Sequence, residues 1–514
     1  MDRKIAKQIF LFVIIILSGI FIPRITSAAT YYISPAGSNS NPGTESQPFA
    51  TFSYAFSKMS GGDTLYIADG VYHQQITGMP SGSPGNYTKI YAVNDHKVDI
   101  DGQGVLPSSG WQALLYINGK SYVEIKGLKV HNSSYSNDVC EIENSNNVIF
   151  RVMGCWQAGD YKHDNPVKIS NSSNMLLEDV WAFGRGRYSV HMATDATNVI
   201  LRRVVTRWDD GAYSSEPIAG FSVYKAYNNI LENTITFDHA NHPDWFTAGH
   251  QGYYVISWNT SYPESRENKF YGSIALNLPV SGFSVETNAQ PDIDNHYFKD
   301  CVSVDTYRGF NLLKANTSTV EQCSFINSSG SSSGSHGLFN GVNSTNASVK
   351  NSLVIGNAAY GFNNNGGGIS ISHSGAYNNT NGNYSGTSCA TGCRTDNPQL
   401  KYPVRIESTS TYKGAGENGM DIGANIINRY ENGVLTSKAL WPWPYEDWIK
   451  EDMCDSATLE SIGRTGASTP KWCTTNKTLT QYIWEYLGTQ CPEDICKYSD
   501  PAPSPPLNLK IITQ

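Results

Sequence analysis

The chain has 514 residues, 39% of them hydrophobic and 16% charged, with 46 glycines, ten cysteines and a formal charge of -8. An acidic whole argues against nucleic acid as a partner, since that calls for a basic footprint. Ten cysteines are too dilute to be a disulfide scaffold, so a real core must hold the fold.

The N-terminus reads Met1-Asp2-Arg3-Lys4, then an apolar run from Ile9 to Ile22 broken only by Ser18 and Gly19, then Thr26-Ser27-Ala28-Ala29. A basic start, a short apolar stretch and small residues predict a secretory signal peptide over 1–29, cut after Ala28 or Ala29. The run is shorter than the roughly 20 apolar residues that a membrane span needs. Its removal takes away four Lys/Arg and one Asp, so the charge falls from -8 to -11. The mature protein is expected outside the cell or in a periplasm, monomeric and without a membrane span. All ten cysteines then sit where disulfides are permitted.

Next come Tyr31-Tyr32-Ile33-Ser34-Pro35, Asn41-Pro42-Gly43-Thr44, Pro48-Phe49-Ala50-Thr51, Gly62-Asp63-Thr64-Leu65-Tyr66-Ile67 and Gly70-Val71-Tyr72. A capping helix is predicted from Phe52 to Met59. From about Tyr122 to Tyr384 the chain alternates Asn-rich turns with β-branched runs. Leading asparagines at Asn147, Asn174, Asn198 and Asn229 are 27, 24 and 31 apart. A period in the twenties with strands and no helical pattern predicts a β-solenoid. A second run precedes each of these: Tyr188-Ser189-Val190-His191, Phe221-Ser222-Val223-Tyr224, Phe283-Ser284-Val285-Glu286 and Phe310-Asn311-Leu312-Leu313. Its period of two marks strands buried on one face. An antiparallel sandwich would instead show two-residue hairpin turns, which do not punctuate the repeat. Cys301 and Cys323 fall at equivalent places in adjacent coils and are expected to stack.

Gly419-Met420-Asp421-Ile422-Gly423-Ala424 reads as a closing strand. Behind it, Trp441-Pro442-Trp443-Pro444-Tyr445 and Leu479-Thr480-Gln481-Tyr482-Ile483-Trp484 read as short aromatic helices, with Cys454, Cys473, Cys491 and Cys496 placed to staple them. The expected organisation is a signal over 1–29, a β-helix over 30–430, a helical appendage over 431–498 and a Pro-rich tail or linker over 499–514.

The opening segment and Gly419–Ala424 resemble secreted proteins of the pectate-lyase-like superfamily, in which a strand, a short capping helix and the first coil come in this order. The resemblance covers roughly 30–425. It implies an all-β fold, a right-handed parallel β-helix solenoid, common on enzymes that cut or remodel acidic polysaccharides. It is specific for the fold and not for one activity.

Placing Tyr188, Phe221, Phe283 and Phe310 inward sends Ser189, Ser222, Ser284 and Asn311 outward, with His191, Tyr224 and Glu286 as a second outward row. Two long connections, 207–217 and 238–252, are expected to wall a groove over these residues, as long loops on a regular scaffold usually carry function. Between Lys162 and Arg207 seven Lys/Arg face four Asp/Glu, a local +3 suited to a substrate bearing carboxylates. β-Elimination from a uronate needs a base, positive charge for the enolate and a proton donor for the leaving oxygen. Arg187, Tyr188, His191, Arg207, Tyr224 and Lys225 are the candidates, with Lys162, Lys168, Trp208, Trp245 and Glu286 binding an acidic polysaccharide. Asp209, Asp210, Asp238 and Asp244 are candidates to hold Ca²⁺ through flexible oxygen donors.

Asp209-Asp210 and Gly249-His250-Gln251-Gly252 resemble the Asp-Asp and Gly-His-Gly motifs of polygalacturonase-type hydrolases. This chain departs from them in the inserted Gln251, in lacking an upstream Asn-Thr-Asp and in lacking a following Arg-Ile-Lys. A solenoid that only binds glycan is the third reading, since fold does not fix function. Convergence of the polar groups on one groove would separate an enzyme from it.

Overall fold

The computed structural model describes residues 28–210, 217–241, 250–257, 265–287 and 294–496. The expected signal peptide, apart from Ala28 and Ala29, and the Pro-rich tail lie outside these residues. Among the described residues, 34 strands from Thr30 to Thr391 join through parallel ladders, each coil pairing with the next. The front is covered by helix Phe52–Lys58, capped by the Thr51 side chain on Tyr54 N and burying Phe52, Ala55 and Phe56. No helix among the described residues is long and apolar enough to cross a membrane.

Each coil has three faces. The first holds Ala113–Asn118, Asp138–Glu143, Val167–Ser170, Tyr188–Met192, Ile218–Tyr224 and His250–Ser257. The second includes Ser121–Lys126 and Thr197–Arg202, and the third Leu128–His131 and Val205–Asp210. Strands such as Asn146–Trp156 turn a corner and serve two faces. Corners need positive φ, which Asn adopts more readily than most residues. Asn147, Asn174, Asn198 and Asn228 have φ of 54°, 59°, 54° and 57°. Asn198 Nδ2 donates to Asn174 Oδ1 at 3.2 Å, and Asn228 Nδ2 donates to Asn198 Oδ1. Asn229, read from the sequence as the fourth corner, is instead the buried neighbour, donating to Asn268 Oδ1 at 3.0 Å.

The interior is a stack. Phe221, Tyr253, Phe283 and Phe310 lie one per coil, with ring centroids 4.8, 4.6 and 5.8 Å apart and planes within 13°. Cys301 and Cys323 stack as expected, with Cys301 N donating to Cys323 Sγ at 3.4 Å, and both are buried free thiols. Disulfides join Cys140 to Cys155, Cys389 to Cys393, Cys454 to Cys473 and Cys491 to Cys496.

Two expectations change here. In the coil of His191 the register moves by two residues: Val190, not Tyr188, pairs with Phe221, and Tyr188 pairs with Ala219. The cause is a column of glycines one residue ahead of the aromatic stack, including Gly220, Gly252, Gly282 and Gly309. A Cβ at Gly220 would come within 2.2 Å of Thr236 Oγ1. The residue before that column stands apart from the aromatic stack, Tyr188 packing with Ala219, Tyr254 and Ile256 in a separate buried cluster. Ser189 takes the glycine's place, buried with its hydroxyl 3.3 Å from Arg207 O, so it is not an outward residue.

The second change is at the C-terminus. Gly419–Ala424 forms no strand, and the last solenoid strand is Cys389–Thr391. From there the chain runs back down the solenoid. Gly423 N donates to Asn351 O, Ala424 N to Ser324 Oγ, Asn425 N to Asp300 Oδ1 and Tyr430 N to Asn233 Oδ1. The helices Glu446–Cys454 and Leu479–Trp484 then cover the third face. That face is apolar outside as well as inside: Trp181, Phe183, Val205, Phe237 and Leu276 share a core with Trp441, Trp443, Trp472 and Trp484. A sheet apolar on both sides must be covered on both, as burying such a strip against water's alternative is the main gain available.

This cover is fastened by buried charge. Asp209 Oδ1 lies 2.7 Å from both Arg207 Nε and Arg464 Nη1, its Oδ2 accepts from Gly184 N at 3.0 Å, and Arg207 Nη2 donates to Met453 O at 2.8 Å. Removing Asp209 strips the two desolvated guanidinium groups of the carboxylate they share and leaves Asp238 beside Arg464 as the remaining acid, which costs about 3–5 kcal/mol. Asp209→Ala is therefore expected to lower unfolding stability by about that amount in urea melts and to expose the segment beyond Leu440 to limited proteolysis. An unchanged melt and an unchanged digest would show that the cover is held by apolar contact alone.

Candidate active site

The first face carries the polar column. Register pairs Tyr116 with Glu141, Glu141 with Lys168, Lys168 with His191, His191 with Ser222, and Ser222 with Tyr254. In a parallel ladder these side chains stand on one face one coil apart, about 4.8 Å. The half-buried His191 ring sits 4.6 Å from the Tyr188 ring and 6.3 Å from that of Tyr224. Arg187, at the entry of the same strand, lies over the Tyr188 ring at 4.9 Å, with its Nη1 3.0 Å from His163 Nδ1 and its Nε donating to Pro217 O. Lys225, at the far corner, holds its ammonium 4.9 Å from the Tyr224 ring centroid. Glu286 stands further along and accepts from Tyr254 OH at 2.7 Å.

Electrostatics divide the roles. Lys168 Nζ is 3.1 Å from Asp138 Oδ2 and 2.7 Å from Glu141 Oε1. Burial works against its charge, yet the two carboxylates hold its pKa above the usual ammonium range. One ammonium cannot neutralise two buried acids. Burial therefore raises both carboxyl pKa values, and the Asp138 charge raises Glu141 further. Burial, then the charges of Arg187, Lys168 and His163, hold the His191 imidazole well below its ordinary 6.5, so it is neutral at neutral pH. Its Nδ1 is buried with no hydrogen-bond partner. A neutral imidazole between a guanidinium and an ammonium, flanked by two phenols, can accept a proton next to groups that stabilise developing negative charge.

The structure thus brings together Lys168, Arg187, Tyr188, His191, Tyr224 and Lys225, with Glu286 at the end of the row. Lys162 is half-buried in the adjoining loop beside Tyr161 and His163. The column itself differs from the expected one: His191 shares a row with Ser222 and Tyr254, whereas Tyr224 shares one with Ile256 and Glu286.

Other candidates go elsewhere. Arg207 and Asp209 point outward from the third face into the C-terminal cover, where both side chains are fully enclosed. They cannot reach a substrate at His191. Trp208 is 2% exposed, its indole N–H donating to Gly186 O at 2.7 Å, so it is corner packing and no sugar platform. Asp238 accepts from Tyr482 OH, Asn277 Nδ2 and Trp472 N. Asp209 and Asp238 therefore have their carboxylate oxygens committed, and this set does not fit Ca²⁺, which needs six or more oxygen donors. They line a polar cleft of about 1020 Å³ between the cover and the third face, together with Asp210, Asn241, Asp305 and Lys471. Among the described residues no three His, Cys, Asp or Glu are grouped to hold a metal ion. Trp245 and Asp244 lie outside the described residues, as do parts of both long connections. The local +3 does not persist as a patch, because Arg202 and Arg203 pair with Glu178, Asp179 and Glu232 on the second face.

Asp138, Glu141, His163 and Tyr254 were missed by the sequence reading. A signal existed for Glu141. Subtracting the 27-residue spacing of Asn147 and Asn174 from Lys168 lands on it, where the ladder puts it.

Residues 31–196 match the family model described as the Pel9A-like right-handed β-helix region. A stretch of 107 residues is 32% identical to the uncharacterized protein YwoF of Bacillus subtilis (strain 168), a match that spans 21% of this chain and 23% of that protein. Among solved structures, pectate lyase Pel9A is similar at 15% identity with a TM-score of 0.46, over 78% of this chain and 96% of that one. A rhamnogalacturonan lyase is similar at 16% identity with a TM-score of 0.45, over 60% and 84%. The right hand of the solenoid, expected from the sequence, is that of the matched family region.

Proposed function

We propose that this protein is a secreted polysaccharide lyase that cleaves a uronate-containing polysaccharide by β-elimination. One observation carries the reading: a neutral, half-buried His191 stands on the solenoid's first face with Lys168, Arg187, Tyr188 and Tyr224 around it. The four disulfides accord with an oxidising compartment outside the cytoplasm.

The uronate carboxylate lies against Arg187 and Lys168. His191 takes the proton from the carbon next to that carboxylate, and the electron pair moves into the carboxylate as an enolate. The enolate collapses to a carbon–carbon double bond, the glycosidic carbon–oxygen bond breaks, and the Tyr224 phenol protonates the departing oxygen. Substrate binding also strengthens the base, because the carboxylate offsets the charges that hold the His191 pKa down. A second reading rests on Asp138 and Glu141, two carboxyl groups with raised pKa values on the same face, which is the pattern of a glycoside hydrolase's general acid.

Polygalacturonate, alginate, hyaluronan and chondroitin, each with Ca²⁺ and with chelator, test the reaction. An ultraviolet-absorbing unsaturated product is expected from one of them, with kcat/KM reduced about 100-fold or more in His191→Ala, as for loss of a general base. Reducing ends without that absorbance, lost instead in Glu141→Gln, move the answer to hydrolysis. Binding without cleavage moves it to a binding solenoid.

The pH dependence follows from His191. A base must be unprotonated, so with its pKa depressed kcat/KM is expected to stay level down through pH 6.5 and to fall only at more acid pH. Arg187→Ala removes one depressing charge and moves that fall upward. Histidine proton resonances followed over pH 4–8 report the same titration without substrate, and a His191 midpoint at or above 6.5 would remove it as the resting neutral base.

A further inference from the structure

The loops that enter the first face carry an aromatic series which the reaction chemistry does not use. Trp111, Tyr135 and Tyr161 come from the connections before strands Ala113–Asn118, Asp138–Glu143 and Val167–Ser170, three successive coils at one corner. Trp111 is 68% exposed and Tyr135 63%. Both meet Tyr161 nearly edge-on, at 5.1 Å and 81° and at 5.7 Å and 75°. Tyr161 contacts His163 at 5.7 Å, and His163 reaches Arg187. A line of contacts therefore runs from Trp111 through Tyr161, His163, Arg187 and Tyr188 to His191, covering three coil steps, about 14 Å.

These rings stand on braced loops. Trp111 N donates to Ser136 O at 2.8 Å, Gln112 N to Asn137 Oδ1 at 2.9 Å, Ser134 N to Leu106 O at 2.8 Å and Gly159 N to Asn137 O at 3.1 Å. Tyr161 N donates to Asp164 Oδ2 at 2.9 Å. Two large rings held fixed and left in water forgo burial worth about 25 cal/mol per Å², while presenting preorganised faces. A ring face flanked by cations suits a sugar whose one side is C–H and whose edge bears carboxylates. A protein partner would need on the order of 1,000 Å² of buried surface, which two exposed rings do not supply.

We propose that Trp111, Tyr135 and Tyr161 form a sugar-stacking subsite, which holds rings of the same acidic glycan up to three coils from His191, with Lys162 and Arg187 meeting their carboxylates. This rests on the reading of the first face as a uronan site. The subsite adds length selectivity: it grips polymers and long oligosaccharides and leaves short ones to His191 and its neighbours.

The test uses Trp111→Ala, Tyr135→Ala, the double variant and Trp111→Phe in the full chain. Each is run in native gels containing polygalacturonate, alginate, hyaluronan or chondroitin, and on whichever polymer is cleaved. The expected result is polymer affinity weakened about tenfold in the double variant, about 1.4 kcal/mol, with KM raised, kcat unchanged and Trp111→Phe retaining most of the binding. Thermal midpoints should match the parent, since both side chains are exposed. Unchanged polymer affinity in a folded double variant overturns the subsite even if the polymer is cleaved. Lost binding in a protein that cleaves nothing supports the subsite and overturns the lyase reading. A dimer in sedimentation that Trp111→Ala dissociates overturns the subsite in favour of contact with a second copy.

Discussion

Everything here depends on register, the constraint that each coil pairs residue for residue with its neighbour. Parallel hydrogen bonding resists drift, because a slip of one residue would turn inward side chains out. Among the described residues the ladders shift by one residue only locally, as at Gly184/Arg185, Leu278/Ser281 and Ile371/Ser372. The stacked rings of Phe221, Tyr253, Phe283 and Phe310 hold that register from inside, and the Asn174–Asn198–Asn228 ladder holds it at a corner. The same rule makes a site possible. Residues as distant in sequence as Glu141, Lys168, His191 and Ser222 stand in one column because each occupies the same place in its coil.

The solenoid's three faces are treated differently. The second is closed by ion pairs such as Arg202 with Glu178 and Glu232. The third is apolar on both sides and is covered by the returning C-terminal chain. The first keeps its charges in partial balance at a water-accessible surface, with two acids around Lys168 and an imidazole kept neutral by the cations near it. That arrangement is costly unless a ligand completes it, which is common where polar groups converge for chemistry. The buried Asp209 cluster is the opposite case. Its charges, Arg207 and Arg464 against Asp209 and Asp238, are matched and sealed, and they fasten one part of the chain to another. Asp452 plays a like part, lying 3.1 Å from His96 Nε2 and accepting from Trp181 Nε1 at 2.8 Å.

In the sequence the two clusters look alike in one respect, since Arg207-Trp208 and Arg187-Tyr188 each set an arginine beside an aromatic residue. What separates them is the direction of each side chain and whatever comes to lie on it. For Arg207 that is Met453, Cys473 and Arg464, all more than 240 residues away.

The sequence by itself determined the repeat, its period, the capping helix, the inward aromatics Phe221, Phe283 and Phe310, the stacked Cys301 and Cys323, and the cysteines that staple the appendage. These follow from local periodicity and fixed spacing, which are one-dimensional properties. It also singled out His191 and Tyr224, because a polar residue inside an alternating strand must face outward, and Lys168, Arg187 and Lys225 as basic groups in or beside the charged stretch. Only the tertiary structure decided that Tyr188 leaves the aromatic stack for a separate buried cluster, that Glu141 and Asp138 share Lys168, and that Arg207, Trp208, Asp209 and Asp238 are enclosed. The physical reason is that burial by another segment and partnership across coils are set by distances in space. No local pattern announces that a third face will be covered by chain arriving from the far end.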